Sequence, residues 1–263
     1  MLLKNKNAVI YAASGAVGSA VARAFAREGA RVFLTGRNLA ALEVLEKEIS
    51  ASEGRVETAQ VDALDERAVE RHLNEVSQKA GRIDISFNAI GIPQEGIQGI
   101  PLAELSVESF ALPISTYTKA HFVTARAAAR RMIGQRSGVI LMHTPEPARL
   151  GAPLVGGMGP AWAAMEGLTR SLSAELGPHG IRVVCLRTTG MTETGTIDVV
   201  FDLHARAAGI TRQQFQSLIE GMTHRRRLTT LSELSSVAAF IASDGAAAMT
   251  GTVANLTGGA IVD

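Results

Sequence analysis

The sequence predicts an α/β fold, a doubly wound parallel β-sheet with helices on both faces, formed as a single domain over residues 1–263. Three observations predict it. Short apolar runs alternate with longer amphipathic stretches along the whole chain, the order that builds parallel sheets. The first run, Ala8-Val9-Ile10, is continuous rather than alternating, as a strand covered on both faces must be. A chain of 263 residues that is 46% hydrophobic and 19% charged can bury one large core, and it carries no repeat, low-complexity tract or linker.

The elements follow in order. After the first strand, Ala13-Ser14-Gly15-Ala16-Val17-Gly18 forms a small-residue turn that opens a helix with Val21, Ala22 and Phe25 inward, closed by Gly29. A second strand, Val32–Leu34, ends at Thr35-Gly36-Arg37. A helix from about Asn38 to Ser50 turns Leu39, Leu42, Leu45 and Ile49 inward. Val56–Val61 is a third strand ending at Asp62, and Asp65 caps a helix that runs to Ala80. Ile83–Phe87 is a fourth strand, leading through Asn88-Ala89-Ile90-Gly91 into a loop that reaches Pro101. A long helix from about Val107 to Ile133 is interrupted at Pro113, which has no N–H to give. Val139–Met142 is a fifth strand, followed by a loop bearing Pro145, Pro147, Gly151 and Pro153. A helix from about Pro160 to Leu176 stops at Gly177-Pro178, and Ile181–Leu186 is a sixth strand. Met191 to about Gln216 holds a loop and a short helix. Leu231–Ala242 is helical, and Thr252–Leu256 is the last strand.

Several classes are excluded. A formal charge of +1 predicts no nucleic-acid partner, and Arg225-Arg226-Arg227 reads as a solvated face or a local phosphate contact. The single Cys185, inside an apolar strand, excludes an internal disulfide and a cysteine-rich metal site. No two-histidine metal spacing and no Gly-x-Ser-x-Gly elbow is present. No stretch approaches the length of a membrane span, and Met1–Lys6 leads into the first strand without a signal segment. A cytoplasmic protein with no membrane partner is expected.

The first strand, turn, helix and second strand form the unit that binds half of a dinucleotide. Small residues at Ser14, Gly15, Val17 and Gly18 let the backbone approach a pyrophosphate, and the helix start offers unpaired N–H groups. Ala12 and Ala16 stand where a fuller glycine set is expected. A ligand in such a sheet lies at the carboxyl ends of the strands, which brings Ser14, Arg37, Asp62, Asn88, His143 and Arg187 near one crevice.

The chain resembles the short-chain dehydrogenase/reductase family over nearly its whole length. The resemblance is carried by AASGAVGSAVARAFAREGARVFLTGR near the start, VDALD at 61–65, IDISFNAIG at 83–91 and TARAAARRM at 124–132. GLTRSLSAELGPHGIRV at 167–183 and the ending SDGAAAMTGTVANLTGGAIVD complete it. It implies a single Rossmann-like domain, a homodimer or homotetramer, that binds NAD(H) or NADP(H) and a small-molecule substrate. The helices near 107–133 and 160–176 would form the pairing surface. Gly36 replaces the acid that would repel a 2′-phosphate, and Arg37 beside it suits that phosphate, so NADP(H) is favoured over NAD(H). Arg37 could instead be a plain surface arginine. Asp62 matches the aspartate that meets the adenine amine, or caps a turn. Asn88 opens a reduced Asn-Asn-Ala-Gly motif, or pins a loop to the sheet.

The family's proton chemistry runs through a tyrosine, a lysine four residues later, a serine and an asparagine. Alignment through GLTRSLSAEL puts the tyrosine position at Met158, the lysine at Trp162, the serine at Pro145 and the asparagine at Tyr117. Neither tyrosine of the chain, Tyr11 or Tyr117, is followed by lysine four residues on. His143, Tyr117 and Thr144 are the candidate replacements. Tyr117 could instead pack against Met158 and Trp162, and His143 could be a buried histidine with one backbone hydrogen bond. Trp162 would lie against the nicotinamide, and Met158 and Arg187 would face substrate under a segment at about 191–224. Arg187 could instead pair with Glu193 or Glu146. Two readings follow: an NADP(H)-linked oxidoreductase acting on a carbonyl or alcohol with a non-standard proton donor, or an inactive or non-redox protein of the same fold. The second would bind a dinucleotide or apolar ligand, or pair with an active relative.

Overall fold

The computed structural model describes residues 1–262. Seven parallel strands form one sheet in the order β3-β2-β1-β4-β5-β6-β7. The strands are β1 (Asn7–Tyr11), β2 (Arg31–Gly36), β3 (Arg55–Gln60), β4 (Ile85–Asn88), β5 (Gly138–Pro145), β6 (Ile181–Thr188) and β7 (Thr252–Leu256). The helices are α1 (Ala16–Arg27), α2 (Leu39–Ala51), α3 (Glu66–Ala80), α4 (Val107–Gln135), α5 (Met158–Leu176), α6 (Gly195–Ala207), α7 (Arg212–Gly221) and α8 (Leu231–Ala242).

Strand alternation splits the core into two layers. Val9 and Tyr11 of β1 join Val69, Leu73, Val123 and Met165 from α3, α4 and α5. Ala8 and Ile10 join Val21, Phe25, Leu42 and Ala238 from α1, α2 and α8. The Asp65 carboxylate accepts from the N–H groups of Arg67 and Ala68, the expected cap of α3.

Some elements differ from the sequence expectation. Leu39 is 37% exposed rather than inward, because it opens α2 at the rim of the sheet. Helix α4 continues through Pro113, and α5 begins at Met158, with Pro160 inside its first turn where a missing N–H is harmless. The two helices meet closely there: a Cβ added to Gly157 would lie 1.9 Å from the Phe110 carbonyl oxygen. β5 and β6 each run two or more residues further than their apolar cores, carrying His143, Thr144, Pro145, Arg187 and Thr188. The segment expected to hold one short helix holds two, α6 and α7. No helix among the described residues is long and apolar enough to cross a membrane.

Candidate active site

A cleft of about 1240 Å³ opens at the carboxyl ends of the strands. Its floor at one end is the turn after β1, lined by Ala12, Ser14, Gly15, Ala16 and Val17. Gly15 caps α1 without a side-chain hydrogen bond, so the first N–H groups of the helix are left for a ligand. Ala12 holds φ +54°, the left-handed conformation that a glycine would adopt without strain. Gly18 does not line the cleft. It lets α1 sit against the turn, since a Cβ there would lie 2.5 Å from the Ala12 carbonyl oxygen.

The end of β2 closes on this turn, and a Cβ on Gly36 would come 3.5 Å from Ser14 Oγ. Arg37 is exposed and lines the cleft, its carbonyl accepting a 2.9 Å bond from Gln60 Nε2. Asp62 also lines the cleft while one carboxylate oxygen accepts from the Leu64 N–H at 2.9 Å. Asn88 is buried outside the lining. Its amide donates to Thr124 Oγ1 and the Ala120 carbonyl, and its Oδ1 accepts from the Ile90 N–H, so it ties the loop after β4 to α4.

At the other end, Tyr117, His143, Pro145, Met158 and Trp162 line the cleft together. Tyr117 and Trp162 have ring centroids 6.4 Å apart, and Trp162 is 8% exposed. Burial pushes the Tyr117 phenol up to about 12, against smaller opposing effects of the Ile92 backbone and Trp162. His143 Nε2 lies 2.9 Å from Thr188 Oγ1, so its partner is a neighbouring hydroxyl rather than the backbone. Burial holds the His143 imidazole down at about 4, and His121 behind it, stacked on Tyr117, at about 3. Both rings are therefore neutral at neutral pH.

Thr144 and Arg187 turn away from the cleft. They are register partners on β5 and β6 and share the face toward α5, where Glu166 waits. Thr144 Oγ1 donates to Glu166 at 3.1 Å, and Arg187 grips the same carboxylate through two bonds of 2.7 and 2.6 Å. Arg187 is 4% exposed. Among the described residues its acidic partner is thus Glu166, not Glu193 or Glu146. Glu193 instead accepts from the Leu231 N–H. The Arg225 and Arg227 side chains pair with Glu233.

Sequence reasoning overlooked two features. A chain of buried polar groups crosses the cleft wall: His204 Nε2 lies 3.0 Å from Gln98 Oε1, and Gln98 Nε2 donates to Gln94 Oε1 at 2.6 Å. This joins α6 to the loop after β4. The other is Glu146, which lines the cleft and has a buried Oε2 with no hydrogen-bond partner among the described residues. Burial raises its carboxyl to about 7. The signal was legible: Pro145 and Pro147 flank it and neither carries an N–H to stabilise a carboxylate. Apolar side chains of α6 and α7, Phe201, Phe215, Leu218 and Ile219 among them, cover this end.

The residues fit a dinucleotide at the first end. Free helix N–H groups and the small-residue turn suit a pyrophosphate, and the Arg37 guanidinium suits a further phosphate. Among the described residues no cluster of three or more metal-ligating side chains exists.

Comparison with known proteins agrees with the fold and shows the family. A family model described as enoyl-(acyl carrier protein) reductase matches residues 12–260. The chain is 30% identical over 260 residues to the probable 2,4-dienoyl-CoA reductase of Bacillus subtilis (strain 168), spanning 98% of this chain and 97% of that one. It is 29% identical over 257 residues to the uncharacterized oxidoreductase YxbG of the same organism, spanning 98% and 91%. NAD+-bound xylitol dehydrogenase superimposes with a TM-score of 0.92 at 25% identity, over 98% of this chain and all of that one.

Proposed function

From the premise that the chain belongs to the short-chain dehydrogenase/reductase family, we propose an oxidoreductase that takes NADP(H) in preference to NAD(H). It would move hydride to or from a small carbonyl or alcohol without the family's usual tyrosine and lysine. The observation that carries this reading is one continuous cleft. A phosphate-binding turn and Arg37 line one end, and polar groups set among apolar walls line the other. The dinucleotide, when bound, supplies or accepts the hydride. The chain's own part is to hold phosphates at Ser14 to Val17, read the 2′ position with Arg37, exclude water under α6 and α7, and move one proton. The apolar side chains of those helices favour a substrate with an apolar portion, as two of the matched names, an enoyl-(acyl carrier protein) reductase and a probable 2,4-dienoyl-CoA reductase, also do. Two copies would pair through α4 and α5.

Trp162 is the chain's only tryptophan and lines the cleft, so its emission tests the reading directly. Saturable quenching on titration with NADPH, weaker with NADH, followed by NADPH oxidation with some member of a carbonyl and enone panel, is the expected result. Absence of quenching in folded protein would overturn it. A second reading rests on Met158, Trp162 and Pro145, which make the far end of the cleft apolar. On that reading the protein binds a dinucleotide or an apolar ligand without turnover. Quenching with no turnover across the panel would favour it.

A further inference from the structure

Of the polar side chains at or beside the far end of the cleft that could exchange a proton, His204 is held by Gln98, and the three candidates read from the sequence are committed as well. His143 Nε2 sits against Thr188, Thr144 donates to Glu166 behind the sheet, and the Tyr117 phenol is packed against Trp162. Glu146 is the exception. It follows β5 directly, between Pro145 and Pro147, in a short 3-10 turn that packs on α5. All three of these residues line the cleft. Glu146 Oε2 is buried and meets no donor among the described residues. The residue as a whole is half-buried, but a carboxylate oxygen held out of water with no donor is costly, and the neutral acid is the form such a place favours.

We propose that Glu146, as the un-ionised acid, meets the substrate's carbonyl oxygen and hands it a proton. The inference rests on the oxidoreductase reading and supplies the donor that reading lacks. In the reducing direction the carbonyl carbon takes hydride from the reduced dinucleotide and the C=O π pair moves onto oxygen. That oxygen takes the Glu146 proton as the O–H pair stays on the carboxylate. The products are the alcohol, the oxidised dinucleotide and ionised Glu146, which regains its proton from water at the cleft mouth.

The environment fits a donor working near neutrality. Desolvation raises the Glu146 carboxyl to about 7, and only its own backbone N–H opposes the rise. Of the charged residues of α5, the element packed on this turn, Glu166 is taken up by Arg187, and neither Arg170 nor Glu175 contributes to the Glu146 shift. His143 and His121 stay neutral, and Tyr117 holds its proton too tightly to compete.

The test compares wild-type protein with E146Q and E146D by infrared difference spectroscopy and by steady-state kinetics. Wild type should give the C=O stretch of an un-ionised carboxyl below pH 7, absent in E146Q, that shifts when a lactam, a carbonyl compound resistant to reduction, is added with NADPH. E146Q should lower kcat by about 100-fold or more and erase the fall in rate above about pH 7, while NADPH still quenches Trp162 as in wild type. E146D should retain part of the rate. Absence of the carboxyl band overturns the proposal, as does a band that the lactam leaves unmoved. Wild-type turnover that survives in E146Q with the same pH profile overturns it while leaving the oxidoreductase reading standing. Wild-type protein with no turnover at all overturns both.

Discussion

Ala12 is the residue whose backbone and identity disagree most. A left-handed alanine costs on the order of 1 kcal/mol, and its carbonyl must also leave room for Gly18. Ala12→Gly should therefore raise the unfolding free energy by about 1 kcal/mol in urea. Gly18→Ala should lower it by about 1–3 kcal/mol, because the new methyl meets backbone that cannot yield. Arg37→Ala should weaken NADPH binding by about 10-fold or more and leave NADH within a few-fold, read from Trp162 quenching. Equal losses for both nucleotides would show that Arg37 reads no 2′-phosphate. At this scale the sequence was a good guide to what is local. Ser14, Gly15, Val17, Arg37 and Asp62 line the cleft as a βαβ unit requires. It was a poor guide where a partner comes from afar. Glu166 reaches Arg187 and Thr144 only because strand alternation turns both toward α5, and no spacing in the chain announces that meeting.

Helices α6 and α7 were the elements least legible in sequence. α7 buries no residue, because its apolar stripe of Phe215, Leu218 and Ile219 faces the open cleft rather than a core, and its start is fixed by a capping box of Thr211 and Gln214. The ends of β5 and β6 were missed for a related reason. Their last residues are polar or proline, chosen by the cleft and by α5 rather than by the sheet. What joins α6 to the sheet's rim is the His204, Gln98 and Gln94 chain. Gln98→Ala removes its middle member. Amide hydrogen exchange should then speed in α6 and α7 while the central strands keep their protection. Unchanged exchange in α6 would mean that the aromatic contacts of Phe201, His204 and Phe215 hold the segment unaided.

For the whole molecule, two sets of buried groups give stability opposite slopes with pH. His121 and His143 titrate in the folded protein at about 3 and about 4, below their ordinary 6.5, so the unfolded chain binds more protons between these values. Their contribution is complete above 6.5 and is lost as pH falls toward 4 for His143 and toward 3 for His121. Glu146 is the reverse: the folded state binds the extra proton between 4.5 and about 7, and stability drains as pH rises through that window. Urea midpoints should fall on the acid side in wild type and fall less in His143→Gln. E146Q should gain on wild type as pH rises from 4.5 to 7. Parallel midpoint curves for wild type and E146Q would count against a buried acid. The seven parallel strands were all foreseen, but their spatial order was not, because which edges meet depends on crossovers that leave no mark in periodicity. That order has an evolutionary side. Strands β3, β2, β1 and β4 come from residues 7–88, and β5, β6 and β7 from residues 138–256. The phosphate-binding turn, Arg37 and Asp62 belong to the first block, while Tyr117, His143, Glu146, Met158 and Trp162 all follow it. On the proposed function, nucleotide choice and proton handling would therefore be inherited on separate stretches of the gene. On that reading, the second stretch could exchange its proton donor without any change in the stretch that carries the phosphate-binding turn.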